Sequence, residues 1–225
     1  NGYWSGIDNS NFSDGNTTVN FDHGNEGFLD STMGVAASKW YWEVEMDATS
    51  GTLASIQAGA GAAGVHPSST SGGPGPLQNQ ADGYAYIMSS GAIGNNSSET
   101  AAWGDTFSDG DVLGIALDLD NNKIYFARNG TWMNSGDPTS GATGTGAAYT
   151  LSATPTNGVY MPAFGKGSTA SYTWTMKTNF GNGYLGTDTV GTTNQDAANI
   201  GYFKYAVPTG YYALCTKNIK AYGGV

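Results

Sequence analysis

The sequence has one cysteine, Cys215, and one arginine, Arg128. A single thiol excludes an intramolecular disulfide, so stability has to come from a packed core. Eight basic residues stand against 18 acidic ones, a net charge of −10. A phosphate backbone demands clustered Lys and Arg, which excludes nucleic acid and anionic membranes as partners. No apolar run approaches the roughly 18 residues of a membrane span. The only histidines are His23 and His66, and no Gly-x-Ser-x-Gly elbow occurs, which leaves a hydrolase triad without its parts. Helix-forming composition is missing as well, because Gly, Asn, Ser and Thr fill 99 of the 225 positions. Turn residues at that density exclude a helical bundle.

Aromatic residues are plentiful: 6 Trp, 14 Tyr and 8 Phe. A disordered chain lacks that content. Short strands joined by Gly/Asn/Asp/Ser turns satisfy both facts, so the chain reads as an all-β protein. The hydrophobic signal has no break, and residues 1–225 read as a single domain. The start, Asn1-Gly2-Tyr3-Trp4, reads as a processed product or a piece of a longer chain. Asn-x-Ser/Thr tripeptides at Asn16, Asn95, Asn96 and Asn129 are what chance supplies in such a composition.

The strongest strand covers residues 39–47. Period two places Trp40, Trp42, Val44 and Met46 on an apolar face, and Tyr41, Glu43, Glu45 and Asp47 on the other, toward solvent. Residues 112–119 alternate likewise, Asp120-Asn121-Asn122 turns the chain, and residues 123–128 return, which is a β-hairpin. Further strands are expected at 19–21, 54–57, 84–88, 159–164, 169–176, 203–207 and 211–215. Turns are expected over 91–100, and loops over 65–82, 133–158 and 186–198, the last with one helical turn at 195–198.

Several constellations carry chemistry elsewhere. Gly59-Ala60-Gly61-Ala62-Ala63-Gly64 spells a dinucleotide fingerprint, but no helix follows to receive a pyrophosphate, so it reads as a Gly-rich loop or strand end. Asp118 to Asn122 begins like a calcium loop, yet Lys123 and Asn129 stand where Gly and Glu are required. Asp105, Asp109 and Asp111 read as Asp-Gly turn chemistry rather than a cation site. Cys215, in an apolar terminal strand, reads as a buried inert thiol. Glu43, Glu45 and Asp47 line one side of a strand with neighbours about 6.6 Å apart, whereas retaining glycosidases need two carboxyls about 5–5.5 Å apart. Trp103, Trp132, Tyr149, Tyr211 and Tyr212 lie near turns or ends, where aromatic rings stack on sugars or fill a partner's pocket.

Three blocks taken together resemble the SPRY domain family. They are Lys39-Trp40-Tyr41-Trp42-Glu43-Val44-Glu45, Gly110-Asp111-Val112-Leu113-Gly114-Ile115-Ala116-Leu117-Asp118 and Lys123-Ile124-Tyr125-Phe126-Ala127-Arg128-Asn129-Gly130. Asn179-Phe180-Gly181 sits near the family's usual C-terminal position, so the likeness runs over residues 19–182. Asn129-Gly130-Thr131-Trp132 followed by Asn134-Ser135-Gly136-Asp137-Pro138 is similar to SPRY-like modules of bacteriophage virion proteins, as is the tail over 207–218. The resemblance implies an antiparallel two-sheet β-sandwich of the concanavalin-like jelly-roll kind, with both ends of the chain packing on it or on a neighbour. It also implies a non-catalytic module without cofactor or metal, displayed on the virion surface as tail fibre, appendage or capsid decoration. Expected partners are other virion proteins, a host-surface glycan, or a second copy of the chain, met through Trp103, Trp132, Asp137 and Tyr149. Two rival expectations are a carbohydrate-active enzyme using Glu43, Glu45 and Asp47, and a cellular peptide-binding SPRY adaptor.

Overall fold

A computed structural model describes residues 11–21, 27–50, 56–63, 76–167, 173–191 and 193–224. His23, His66, most of the 65–82 loop and the first residues of the 169–176 strand lie outside them. In chain order the strands are β1 (Phe12–Ser13), β2 (Thr18–Phe21), β3 (Gly27–Asp30), β4 (Lys39–Ser50) and β5 (Ile56–Ala62). They continue with β6 (Gly83–Ile87), β7 (Ala92–Asn95), β8 (Ser98–Thr100), β9 (Val112–Asp118) and β10 (Lys123–Arg128). Then follow β11 (Thr131–Trp132), β12 (Tyr149–Thr150), β13 (Tyr160–Lys166) and β14 (Thr173–Asn179). The C-terminal part holds β15 (Tyr184–Leu185), β16 (Asp188–Thr189), β17 (Asn194–Gln195), β18 (Tyr202–Phe203), β19 (Tyr212–Ala213) and one helix, α1 (Thr216–Tyr222).

Two sheets form a sandwich. The larger runs β1-β2-β14-β4-β9-β10-β11, with β12 also on β10 and β19 also on β4; the smaller runs β3-β13-β5-β6-β7-β8. All their pairings are antiparallel except that of β19, which runs parallel to Trp40 and Tyr41 just past the point where β14 ends opposite Glu43. The inward residues of β4 behave as their alternation requires: Trp40, Trp42, Val44 and Met46 are fully buried between the sheets. Leu113, Ile115 and Leu117 of β9 join them with Ile124 and Phe126 of β10. The hairpin turn is held by Asp118, whose Oδ1 accepts from Asn121 N at 3.0 Å and whose Oδ2 meets Lys39 Nζ at 2.9 Å.

Both sheets are also covered on their outer faces. On the smaller sheet, a 3-10 turn at Leu77–Asn79 lies over β5, β6 and β13, and Leu77 packs with Ala85 and Ala163. Of the Gly-rich segment, residues 59–62 are a strand end rather than a loop: they form the C-terminal part of β5, every residue of which is buried. Small residues are required there because a Cβ at Gly61 would stand 3.3 Å from Leu77 Cδ1 and Ala163 Cβ. On the larger sheet, Tyr41, Ala116 and Tyr125 face outward into a second cluster with Phe203, Tyr211 and Ala213. The chain beyond β14 folds back over that face.

Several local expectations are corrected. Residues 91–100 contain the β7–β8 hairpin, because Asn96 and Ser97 take the left-handed conformation that a two-residue turn needs. Residues 186–198 carry β16 and β17, and the segment 196–199 is a turn stapled by Asp196 rather than a helical turn. Cys215 is half-buried at the start of α1, not sealed within a strand.

The C-terminal cover closes through a narrow contact. A Cβ built on Gly181 would lie 2.5 Å from Ala213 Cβ, and one on Gly201 would collide with the same atom. Gly201→Ala is expected to lower stability by about 1–3 kcal/mol through overpacking. Chemical unfolding followed by tyrosine and tryptophan fluorescence measures the loss, and an unchanged midpoint would contradict the contact.

Candidate functional site

The row Glu43, Glu45 and Asp47 occupies the outer face of β4, but only Asp47, with its side chain 39% exposed, is open to solvent as the alternation suggested. Glu43 is 0 % exposed. Its Oε1 accepts from Tyr41 Oη at 3.2 Å and Tyr205 N at 2.8 Å; its Oε2 accepts from Lys204 N at 2.9 Å and Asn179 Nδ2 at 3.2 Å. Burial pushes the Glu43 carboxyl above its ordinary range, and these four donors hold it back without cancelling the shift. Burial, followed by the Glu43 charge, raises the Tyr41 phenol far above its usual value, so it stays a donor. Gly114 on β9 makes room for this contact, since a Cβ there would sit 2.8 Å from Tyr41 Oη.

Glu45 and Asp47 are engaged too. Lys177 Nζ lies 3.1 Å from Glu45 Oε1 and 3.1 Å from Asp47 Oδ2, while Lys204 Nζ lies 3.3 Å from Glu45 Oε2. Asn179, also fully buried, extends the network: its Nδ2 donates to Tyr202 O at 2.9 Å and its Oδ1 accepts from Gly181 N at 2.9 Å. A second anchor lies further along. Asp196 Oδ1 accepts from Ile200 N at 2.7 Å and Gly201 N at 2.9 Å; its Oδ2 accepts from Ala213 N at 3.0 Å and Asn218 Nδ2 at 2.7 Å. Burial raises this carboxyl, but the hydrogen bonds from Ala213, Gly201, Ile200 and Asn218 together win, and it lies below its usual range.

The four residues singled out for binding fall into two groups. Trp103 and Tyr149 lie on the flank where β8 and the β11–β12 segment end the two sheets. Trp103 sets its ring edge-on to Tyr86 and Phe126, each at 6.3 Å, and Tyr149 tilts against Tyr84 at 5.5 Å. Burial, then the Glu99 charge, pushes the Tyr149 phenol up to about 12. Trp132 turns to the outer face and packs edge-on to Tyr41 at 6.3 Å. Asp137 is exposed on the loop that follows, and its Oδ1 accepts from Thr139 Oγ1 at 2.6 Å and Thr139 N at 2.8 Å. Those bonds hold its carboxyl below the ordinary range. The loop joins the two surfaces, with Met133 buried under it and Pro138 O accepting from Tyr211 Oη at 2.9 Å.

Asp111 takes Arg128 Nη2 at 2.6 Å and Arg128 Nε at 2.9 Å on one oxygen and Asn129 Nδ2 at 2.6 Å on the other. Among the described residues, no group of three or more His, Cys, Asp and Glu is placed to hold a metal, and no helix is long and apolar enough to cross a membrane. The residues that sequence reasoning missed are Asn179, Asp196, Lys204 and Tyr205. Each of them has a partner between 17 and 162 positions away in the chain, which no local spacing announces.

The fold and the network define a two-sheet β-sandwich whose outer face is closed by its own C-terminal segment. The SPRY domain family profile matches residues 39–183, and the chain belongs to that family of protein-interaction modules. In structure it is similar to the crystal structure of the SPRY domain of human HERC1, with a TM-score of 0.55 and 16% identity, covering 72% of this chain and 87% of that one. A search of curated protein sequences finds no match.

Two predictions follow from the anchors. Glu43→Ala strands four donors, two of them backbone amides, and is expected to cost about 2–4 kcal/mol. Glu43→Gln should cost a comparable amount, because its amide nitrogen opposes two N–H or O–H groups; a Gln variant as stable as the parent would contradict the assignment. The lowered carboxyl of Asp196 contributes stability that is present above about pH 4, the unfolded value, and is lost as pH falls through the folded value. The thermal midpoint of the parent should therefore drop more steeply than that of Asp196→Asn between neutral pH and about pH 3.5.

Proposed function

We propose that this SPRY domain is a non-catalytic recognition module displayed on a bacteriophage virion, as part of a tail fibre, appendage or capsid decoration. It contacts another virion protein or a host-surface glycan through its loops. The observation that carries the non-catalytic part is the state of the acid row. Glu43 is sealed beneath residues 204 and 205, and Glu45 shares Lys177 and Lys204, which supports a structural rather than a catalytic use of the pair.

Recognition groups lie instead on braced loops. The loop after β11 is tied by the Thr139 and Ser140 bonds to Asp137, with Thr145 N donating to Ser140 Oγ at 2.9 Å. Trp103 and Tyr149 are half-buried, which fixes their rings while leaving an edge for a partner. Preorganised loops of this kind lose little entropy on binding. The virion setting rests on the Asn129–Trp132 and Asn134–Pro138 pattern and on the 207–218 tail, which resemble phage modules.

Antibody–gold labelling of intact phage particles tests the setting. Label at tail tips, fibres or regularly over the head is expected, and particles without label would overturn it. Trp103→Ala with Tyr149→Ala is expected to weaken incorporation or adhesion at least about tenfold, a loss of about 1.4 kcal/mol or more. Unchanged binding by that double variant, with folding intact, would remove the flank from the reading.

A further inference from the structure

Residues 202–205 lie on β4 as a short peptide lies on a recognition surface. Phe203 sets its ring edge-on to Tyr41 at 4.9 Å. The chain then bends, and the consecutive amides of Lys204 and Tyr205 both turn onto the Glu43 carboxylate, at 2.9 and 2.8 Å. Lys204 Nζ reaches Glu45 Oε2 at 3.3 Å, and Tyr202 O accepts from Asn179 Nδ2 at 2.9 Å. The Tyr205 ring lies against Gly130, where a Cβ would stand 2.6 Å from Tyr205 Cδ1, and its Oη donates to Asn129 Oδ1 at 3.3 Å. Each receiving group falls within residues 39–183, the span of the family profile, and the segment received falls beyond it.

Resting on the protein-interaction reading, we infer that this groove on β4 is a recognition site for an aromatic–basic–aromatic segment, filled in cis by the chain's own Phe203-Lys204-Tyr205 and in trans by the same segment of a second copy. Glu43 decides the shape of the ligand, because only a bent backbone turns successive N–H groups onto one carboxylate. Tyr41 selects the first aromatic side chain, Glu45 the cation and the open space over Gly130 the second ring. The segment brings its own scaffold: β17 pairs with β18, and Asp196 gathers the amides of Ile200, Gly201 and Ala213. Before that scaffold the chain passes Gly191, exposed at φ +87° with no atom within 4 Å of a built Cβ, which leaves room for a hinge. Exchange between copies keeps every contact and changes only the connection. The connection gives the cis segment a high effective concentration, so trans filling belongs to copies held close together.

Two full-length variants test this by complementation. Glu43→Ala spoils the groove and keeps the segment. Lys204→Glu with Tyr205→Pro reverses the rim charge and removes one amide, and keeps the groove; both positions are exposed or half-buried, so the sandwich core is untouched. The mixture should show at least about tenfold more two-chain complex by native mass spectrometry than either variant alone. A mixture that stays monomeric would overturn the trans filling. Since Glu43→Ala lowers stability, a second titration uses the segment variant alone, with an acetylated and amidated peptide covering residues 201–206. Saturable binding is expected, weakened at least about tenfold when the peptide carries Lys204→Pro. No binding, or equal binding of the two peptides, would overturn the groove. Particles that label while both tests fail would leave the recognition reading standing, whereas a two-chain complex with unlabelled particles would overturn the virion setting alone.

Discussion

A buried carboxylate, that of Glu43, is the joint on which the outer half of this molecule depends. Taking such a group out of water costs several kcal/mol unless its lone pairs are met. Here four donors meet them, and they come from three parts of the chain: Tyr41 on β4 itself, Asn179 at the end of β14, and the amides of Lys204 and Tyr205. Remove the C-terminal segment and two of the four donors vanish together with the lid. The carboxylate thus makes the closure nearly all-or-none: the segment is seated on it or the group must rehydrate. Asp196 repeats the device within the segment, gathering residues 200, 201, 213 and 218 around one side chain.

That arrangement explains why the larger sheet is buried on both faces although its strands alternate like a half-exposed sheet. The inner face is aliphatic and indole, whereas the outer face mixes Tyr41 and Tyr125 with Glu43 and Glu45. Mixed character is what a surface covered by a polar, Gly-rich segment needs. The tyrosine rings supply area, and the carboxylates supply acceptors for backbone N–H groups that form few strand pairings of their own. The family profile ends at residue 183, yet Glu43 finds its amide donors at 204 and 205. The C-terminal segment is accordingly an elaboration of the sandwich whose receiving group lies inside the family's own strand.

Local alternation and turn chemistry made the fold class, β4, the β9–β10 hairpin and the apolar faces legible in the sequence. The Asp120-Asn121-Asn122 turn and the Trp40/Trp42/Val44/Met46 stripe have physical signatures contained in a few residues. The burial of Glu43 had no such signature. Period two assigns a residue to a face but is silent on what lies over that face, and the cover arrives 161 and 162 residues later. The Gly59–Gly61 stretch left loop and strand end both open for the same reason, since the cover over it, Leu77, lies elsewhere in the chain. Of the candidate binding residues, sequence position put Trp103, Trp132, Asp137 and Tyr149 near turns, although Trp132 and Tyr149 themselves stand on the short strands β11 and β12. It could not say that Trp132 turns to the outer face while Trp103 and Tyr149 share the flank.

The distribution of charge completes the functional argument. Of eight basic residues, Lys39, Arg128, Lys177 and Lys204 are spent in internal ion pairs with Asp118, Asp111, Glu45 and Asp47. Each of those four cations is matched by an acid, so the net charge of −10 stays with the remaining side chains. Such a surface gains nothing from long-range steering of anions, and its encounters with basic surfaces are accelerated. In the proposed recognition role, specificity falls at short range to half-buried rings whose orientation the core fixes. In this chain the core delivers that orientation directly, because Phe126 packs between the sheets and at the same time against the ring of Trp103.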